Sequence, residues 1–153
     1  MTRRLGRHPL TVVVGALAAL LWLAGCGATP APSHSPAPSR QVTACEALNP
    51  QSHVTVDANS SFRFSPKTVC LKAGGTVTWI NTTTTLDHTS TDEPGLAANP
   101  GDAEIPPGGH GWNLRLPSGR SARLTLRTVG VYRYFCIPHE TLGMLGVIVV
   151  VPS

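Results

Sequence analysis

At 153 residues the chain has room for one domain of ordinary size. Its formal net charge of +4 comes from 12 Lys and Arg against 8 Asp and Glu, yet Arg3, Arg4 and Arg7 lie within the first 26 residues, where there is no acid. Without that stretch the charge is close to neutral, which excludes nucleic acid as a charge-recruited partner.

Residues 1–25 read as an export signal rather than as part of a fold. The three arginines form a basic start, and Leu10 to Ala24 is an almost unbroken apolar run. A retained membrane span is the alternative, but about 15 residues is short of the roughly 20 that a span needs. Leu23-Ala24-Gly25-Cys26 resembles a bacterial lipobox, which implies that Cys26 is acylated and becomes the first mature residue. The residues after Arg3-Arg4 match twin-arginine export poorly. Residues 26–44 follow as a Pro/Ala/Ser-rich tether, expected to be extended because it has too little apolar surface to fold. His34 within it is expected to be solvated. Residues 45–153 form the folded domain.

From residue 50 onward, short alternating runs separated by turn residues predict an all-β, antiparallel sandwich. Val54 and Val56 alternate with polar neighbours, and Phe62 and Phe64 do so before Ser65-Pro66. Val69 and Leu71 lead to a predicted turn at Lys72-Ala73-Gly74-Gly75, and Thr76 to Ile80 is a strong strand with Val77 and Trp79 on one face. After the Pro- and Gly-rich stretch from Asp92 to Gly109, Trp112, Leu114 and Leu116 alternate, as do Leu124 and Leu126. That stretch is expected to be a crossover between sheets, with a turn of helix around Leu96 to Ala98. The Asn-x-Ser/Thr matches at Asn59 and Asn81 carry little weight beside a bacterial export signal.

The last part of the chain, Gly130 to Val151, carries the chemistry. An aromatic strand ends in Cys136, a short loop carries His139 and Met144, and a valine-rich strand leads away. Thiolate and thioether are soft ligands suited to Cu(I), and imidazole serves both copper oxidation states. With a second imidazole the set would be that of a blue-copper electron-transfer site. A structural zinc site would use four Cys or His ligands and no Met. His53 begins a strand away from this pattern, and His110 lies in a Gly-Gly-His-Gly turn expected to be exposed. His88 follows the strong strand and the polar run Asn81 to Asp87, and the choice between it and His110 rests mostly on the resemblance given next. Taken singly, Cys136 could be an inert buried thiol, His139 a loop residue and Met144 a gap-filler in the core. Cys45 and Cys70 remain as an even pair in an exported protein and are expected to form a disulfide, two buried thiols being the alternative.

Cys136-Ile137-Pro138-His139 followed by Gly143-Met144 resembles the Cys-x2-His-x4-Met segment of the cupredoxins, of the plastocyanin and pseudoazurin type. Gly74-Gly75-Thr76-Val77-Thr78-Trp79 with His88 downstream resembles their first-histidine segment, and Pro107-Gly108-Gly109 and Gly130-Val131-Tyr132 also fit. The resemblance covers roughly Val54 to Val151. It implies a Greek-key β-sandwich of about seven to eight strands and one copper ion held by His88, Cys136, His139 and Met144. Thr89 stands where plastocyanins usually have Asn, and no acidic patch supports carrying over photosynthetic partners.

The function expected is that of a one-electron carrier, not an enzyme, at the outer face of the cytoplasmic membrane and anchored through Cys26. Its expected partners are redox proteins such as a cytochrome, an oxidase or a reductase, and it is expected to be a monomer. A copper-delivery protein is the alternative, disfavoured because Met144 is the sole methionine after the signal. Multicopper enzymes need further histidine clusters and domains. Tyr132, Tyr134 and Cys136 should share the core face, with Phe135 pointing outward beside the metal. Tyr132 is expected to tie a Greek-key corner. Pro138 lacks an N–H to offer the thiolate. His139 should be the ligand nearest solvent, rimmed by Leu142 and Leu145 as a small docking patch.

Overall fold

The computed structural model describes residues 38–153; the signal segment, Cys26 and the tether up to residue 37 lie outside the described residues. Residues 38–44, expected to be extended, belong to a helix instead: α1 spans Pro38–Glu46. Its own sequence is mostly polar, and what stabilises it is tertiary. Val42 and Cys45 pack on Val131, Val149 and Val151, and a disulfide joins Cys45 to Cys70. Among the described residues no helix is long and apolar enough to cross a membrane.

Eight strands follow: β1 Gln51–Ala58, β2 Phe64–Ser65, β3 Thr68–Asn81, β4 His88–Asp92, β5 Trp112–Leu116, β6 Ser121–Leu126, β7 Gly130–Phe135 and β8 Leu145–Val151. Their order is β2-β1-β3-β8-β7-β4-β5, with β6 also on β3. The sheet is mixed rather than wholly antiparallel, since β3 runs parallel to both β1 and β8. It is all-β as expected, and the sheet is not closed.

β3 organises the fold because it serves both wings. Its first residues, Thr68 to Lys72, pair with β8, and Gly75 to Ile80 pair with β6. The turn predicted at residues 72–75 is a bend inside one continuous strand. Gly74 there has φ 82°, and β1 skips register, with Gln51 opposite Leu71 but His53 opposite Thr76. A Cβ on Gly75 would lie 2.7 Å from Leu71 Cδ1 and 2.8 Å from the Ser52 carbonyl, so the bend has room only for glycine.

Alternation delivers side chains from both wings into one core. Val56, Phe64, Val77, Trp79, Trp112, Leu116, Tyr132, Tyr134, Cys136, Met144 and Ile148 belong to it. The Tyr132 hydroxyl donates to the Thr128 carbonyl at 3.1 Å, closing the corner before β7. Phe135 alternates away from the face that carries Tyr134 and Cys136, as expected, but it is fully buried there, because β7 lies between β8 and β4 and is covered on both faces. The segment from Asp92 to Gly109 is no crossover between sheets, since β4 and β5 are antiparallel neighbours. It leaves and returns to the same edge through two short 3-10 turns, Pro94–Leu96 and Pro100–Asp102. Glu104 bridges to Arg133 on the way back.

Candidate metal centre

β4 and β7 meet where Thr91 lies opposite Phe135, and this contact fixes the site. His88 opens β4, its backbone paired with Leu116 of β5, and Cys136 follows the last residue of β7. The chain then tightens into a 3-10 turn at Ile137–Leu142, started by Pro138 and closed by Gly143 at φ 80°. The loop is closed by its own backbone: the Cys136 N–H donates to Met144 O at 3.1 Å, and the Met144 N–H to His139 O at 3.2 Å. Cys136, His139 and Met144 therefore come together through local geometry, and the sheet brings up His88.

The three donor atoms converge. Nδ1 of His88 lies 3.1 Å from Nδ1 of His139, and Cys136 Sγ lies 3.6 Å and 3.4 Å from those nitrogens. A triangle with these edges has its centre about 2 Å from every corner, within the usual bond lengths of an imidazole nitrogen or a thiolate to a first-row metal. Two imidazoles and a thiol packed this way have too few protons to bond one another well, whereas one cation satisfies all three. Met144 is fully buried in the same core cluster as Cys136. The donor set therefore fits a soft-to-borderline ion such as copper. Among the described residues this is the one group of three or more His, Cys, Asp or Glu side chains placed to hold a metal.

Burial sets the electrostatics. His88 is almost wholly buried, and desolvation pushes its pKa down, helped by the neighbouring His139 and opposed by Asp87. Desolvation also lowers His139, which is half-buried. Both imidazoles are thus biased toward the neutral form that ligates. The Cys136 thiol is pushed up by burial, against hydrogen bonds from Thr89 and His139. With Nδ1 turned to the site, His88 Nε2 is buried without a hydrogen-bond partner.

Thr89 ties β4 to the ligand loop at two points. Its N–H points at Cys136 Sγ, 3.3 Å away, and its Oγ1 accepts from the Ile137 N–H at 2.8 Å. Behind it, the Thr91 hydroxyl has one proton and two acceptors at 3.0 Å, Thr89 Oγ1 and Asn113 Oδ1. Pro138 has no N–H to offer, so the backbone donors at the sulfur are the amides of Thr89 and His139.

Two further supports were not legible in the sequence. The Glu140 carboxylate, buried, accepts from the Ala98 and Asn99 N–H groups at 2.8 and 2.9 Å, pinning the 93–111 excursion to the ligand loop. On the other flank Arg63 donates to the Leu142 and Gly143 carbonyls at 3.2 and 3.4 Å. Neither residue belongs to a ligand pattern, and their partners are backbone groups that no spacing rule reveals. His53 and His110 are exposed and stand apart from the site.

Residues 50–151 match the family described as copper binding proteins, plastocyanin/azurin family. Plastocyanin of Scenedesmus fuscus is 38% identical over 87 residues, 57% of this chain and 85% of that protein. The chloroplastic plastocyanin of Tetradesmus obliquus is 36% identical, over 57% of either chain. Dithionite-reduced auracyanin from the photosynthetic bacterium Roseiflexus castenholzii is 22% identical with a TM-score of 0.51, over 68% of this chain and 100% of that one, a likeness of fold. With a His-Cys-His cluster suited to one copper ion at the heart of the matched region, the chain belongs to the plastocyanin/azurin family of copper-binding proteins, whose work is electron transfer and not catalysis.

Proposed function

We propose that the protein is a one-electron carrier with a single type 1 copper held by His88 Nδ1, His139 Nδ1, Cys136 Sγ and the Met144 thioether. The observation that carries this is the convergence of the two Nδ1 atoms and Sγ around a common point, at spacings of 3.1 to 3.6 Å. Bound copper supplies the one-electron couple between Cu(I) and Cu(II). The chain limits how far the donors move between those states. His88 is fixed by strand pairing, Cys136 by the Thr89 amide and the Met144 carbonyl, and His139 by the 3-10 turn that begins at Ile137. Burial of His88, Cys136 and Met144 excludes water from the inner side.

The electron leaves through the His139 side, where the imidazole is half-buried and Ile137 and Leu142 are exposed, with Leu142 at 54%. A small apolar rim of this kind suits brief docking to a redox protein. Leu142→Asp is expected to slow transfer to a partner about tenfold or more while the visible spectrum stays intact; unchanged transfer would remove the rim from this role. The disulfide between Cys45 and Cys70 and the apolar run before Cys26 support a place at the outer face of the cytoplasmic membrane, with Cys26 lipidated.

Copper(II) added to the purified protein is expected to produce an intense blue colour that ascorbate bleaches reversibly, with the metal retained against an apo-acceptor. A sample that stays colourless defeats the ligand assignment. One that colours but surrenders its copper to the acceptor points to delivery instead.

A further inference from the structure

The segment Asn59–Arg63, between β1 and β2, is built with unusual care for a surface turn. The Asn59 side chain accepts from the Ser61 and Arg63 N–H groups at 3.1 and 3.3 Å. The Asn59 N–H donates to Arg63 O, and the Phe62 N–H to Asn59 O, both at 3.1 Å. Closure of this ring holds Phe62 at φ 55°, in the left-handed region. The other such non-glycine among the described residues is Asn49, a type that tolerates it; an aromatic residue there is an outlier, the kind of backbone that persists only where its surroundings enforce it.

The consequence of that conformation is where the ring goes. Phe62 lies against the His139 imidazole, with centroids 4.5 Å apart and planes inclined at 31°. It is itself half-buried against the main core. Next in sequence, Arg63 reaches the carbonyls of Leu142 and Gly143, the two residues that close the ligand turn. One short turn thus touches the ligand loop twice, at the ring of its histidine and at its far end.

We infer that Asn59–Arg63 is a clasp for the ligand loop, in which Phe62 is a positioning residue that sets the plane of the His139 ring and Arg63 holds the loop end beneath it. The inference rests on His139 being a copper ligand, but the clasp itself is made of protein atoms and exists without the metal. It keeps the most exposed of the proposed donors facing inward when copper is absent, and resists its swinging out when copper is bound. The stack also covers the edge of the imidazole next to solvent, so that a partner meets the Phe62 ring beside the histidine.

The test uses Phe62→Leu, Phe62→Tyr and Arg63→Ala. In the copper-free protein, the His139 ring protons should show an upfield ring-current shift in wild type and in Phe62→Tyr, and lose it in Phe62→Leu. In the copper-loaded, ascorbate-reduced protein, a cuprous chelator should strip the metal roughly threefold to tenfold faster from Phe62→Leu than from wild type, the range expected for loss of one aromatic stack. Phe62→Tyr should stay within about twofold of wild type. An unshifted His139 ring in wild type, or equal stripping rates for Leu and wild type, overturns the clasp. Should Phe62→Leu fail to fold, Arg63→Ala is judged by the same stripping rate, faster release supporting the clasp and an unchanged rate rejecting it. A wild-type protein that never turns blue defeats the ligand assignment instead, and the copper-free spectrum still decides on the clasp.

Discussion

Thr89 shows how one residue can do two jobs. Its amide serves the sulfur of Cys136 and its hydroxyl holds the next residue of the loop, so strand β4 grips the ligand turn at consecutive points. Thr89→Val keeps the shape and the amide but removes the hydroxyl. The Ile137 N–H then loses its acceptor, and we expect a loss of about 1 kcal/mol in a denaturant titration, with the copper colour retained. Cys136→Ser is a sharper change. An alcohol does not ionise where a thiol does, so the blue colour should vanish while the strand content, read by circular dichroism, is unchanged. Its position and the spacing to His139 and Met144 were legible from residue types, because soft ligands at short range have little other reason to cluster, whereas His88, far away in sequence, was legible mostly through the family resemblance. What was not legible at this scale was Glu140, which in sequence is one more acidic loop residue.

At the scale of elements, the ligand loop is held from two sides by segments distant in sequence. Glu140 binds the two backbone amides at Ala98 and Asn99, a charge-assisted arrangement. Glu140→Gln retains one acceptor and turns an amide N–H₂ toward the other donor, so the expected loss is about 1–3 kcal/mol, measurable by chemical denaturation. The role of the Asp92–Gly109 segment follows from this contact. Pro and Gly composition announced a long connection but not its destination, because backbone amides have no sequence signature. The same reason hid β3: Gly74-Gly75 is a turn signal, yet a bend within a strand and a turn between strands ask for the same residue. Helix α1 was missed since its polar sequence matches a tether, and only Val42 and Cys45 against β7 and β8 give it a reason to form.

For the whole molecule, the charge most at odds with its surroundings is not in the metal centre. Asp92 closes β4, is fully buried, and has neither carboxylate oxygen in a well-formed hydrogen bond. Burial raises its pKa to about 8 from 3.8, the Glu104 backbone opposing this and the Glu93 and Glu104 carboxylates adding to it. The folded state therefore holds a proton that the unfolded chain releases above pH about 4. The stability associated with that proton is fully present in acid and is lost as pH rises from about 4 through about 8. Asp92→Asn removes the titration. Relative to the wild type, its stability should improve by on the order of 5 kcal/mol between pH 4 and pH 9, so that its profile against pH is the flatter one. Parallel profiles for the two proteins would show that Asp92 is ionised in the fold at neutral pH.

The placement of the Cys45–Cys70 bridge has a mechanical meaning. The residues before Pro38 join the domain through α1, a helix largely exposed and lightly packed. A pull along that leading chain would peel such a helix readily were it not for the covalent bond near its end. The bond passes the load straight to β3, the strand with neighbours in both wings, and so shares it across the sheet. A load entering by the leading chain thus falls on the strand shared by both wings rather than on the ligand turn.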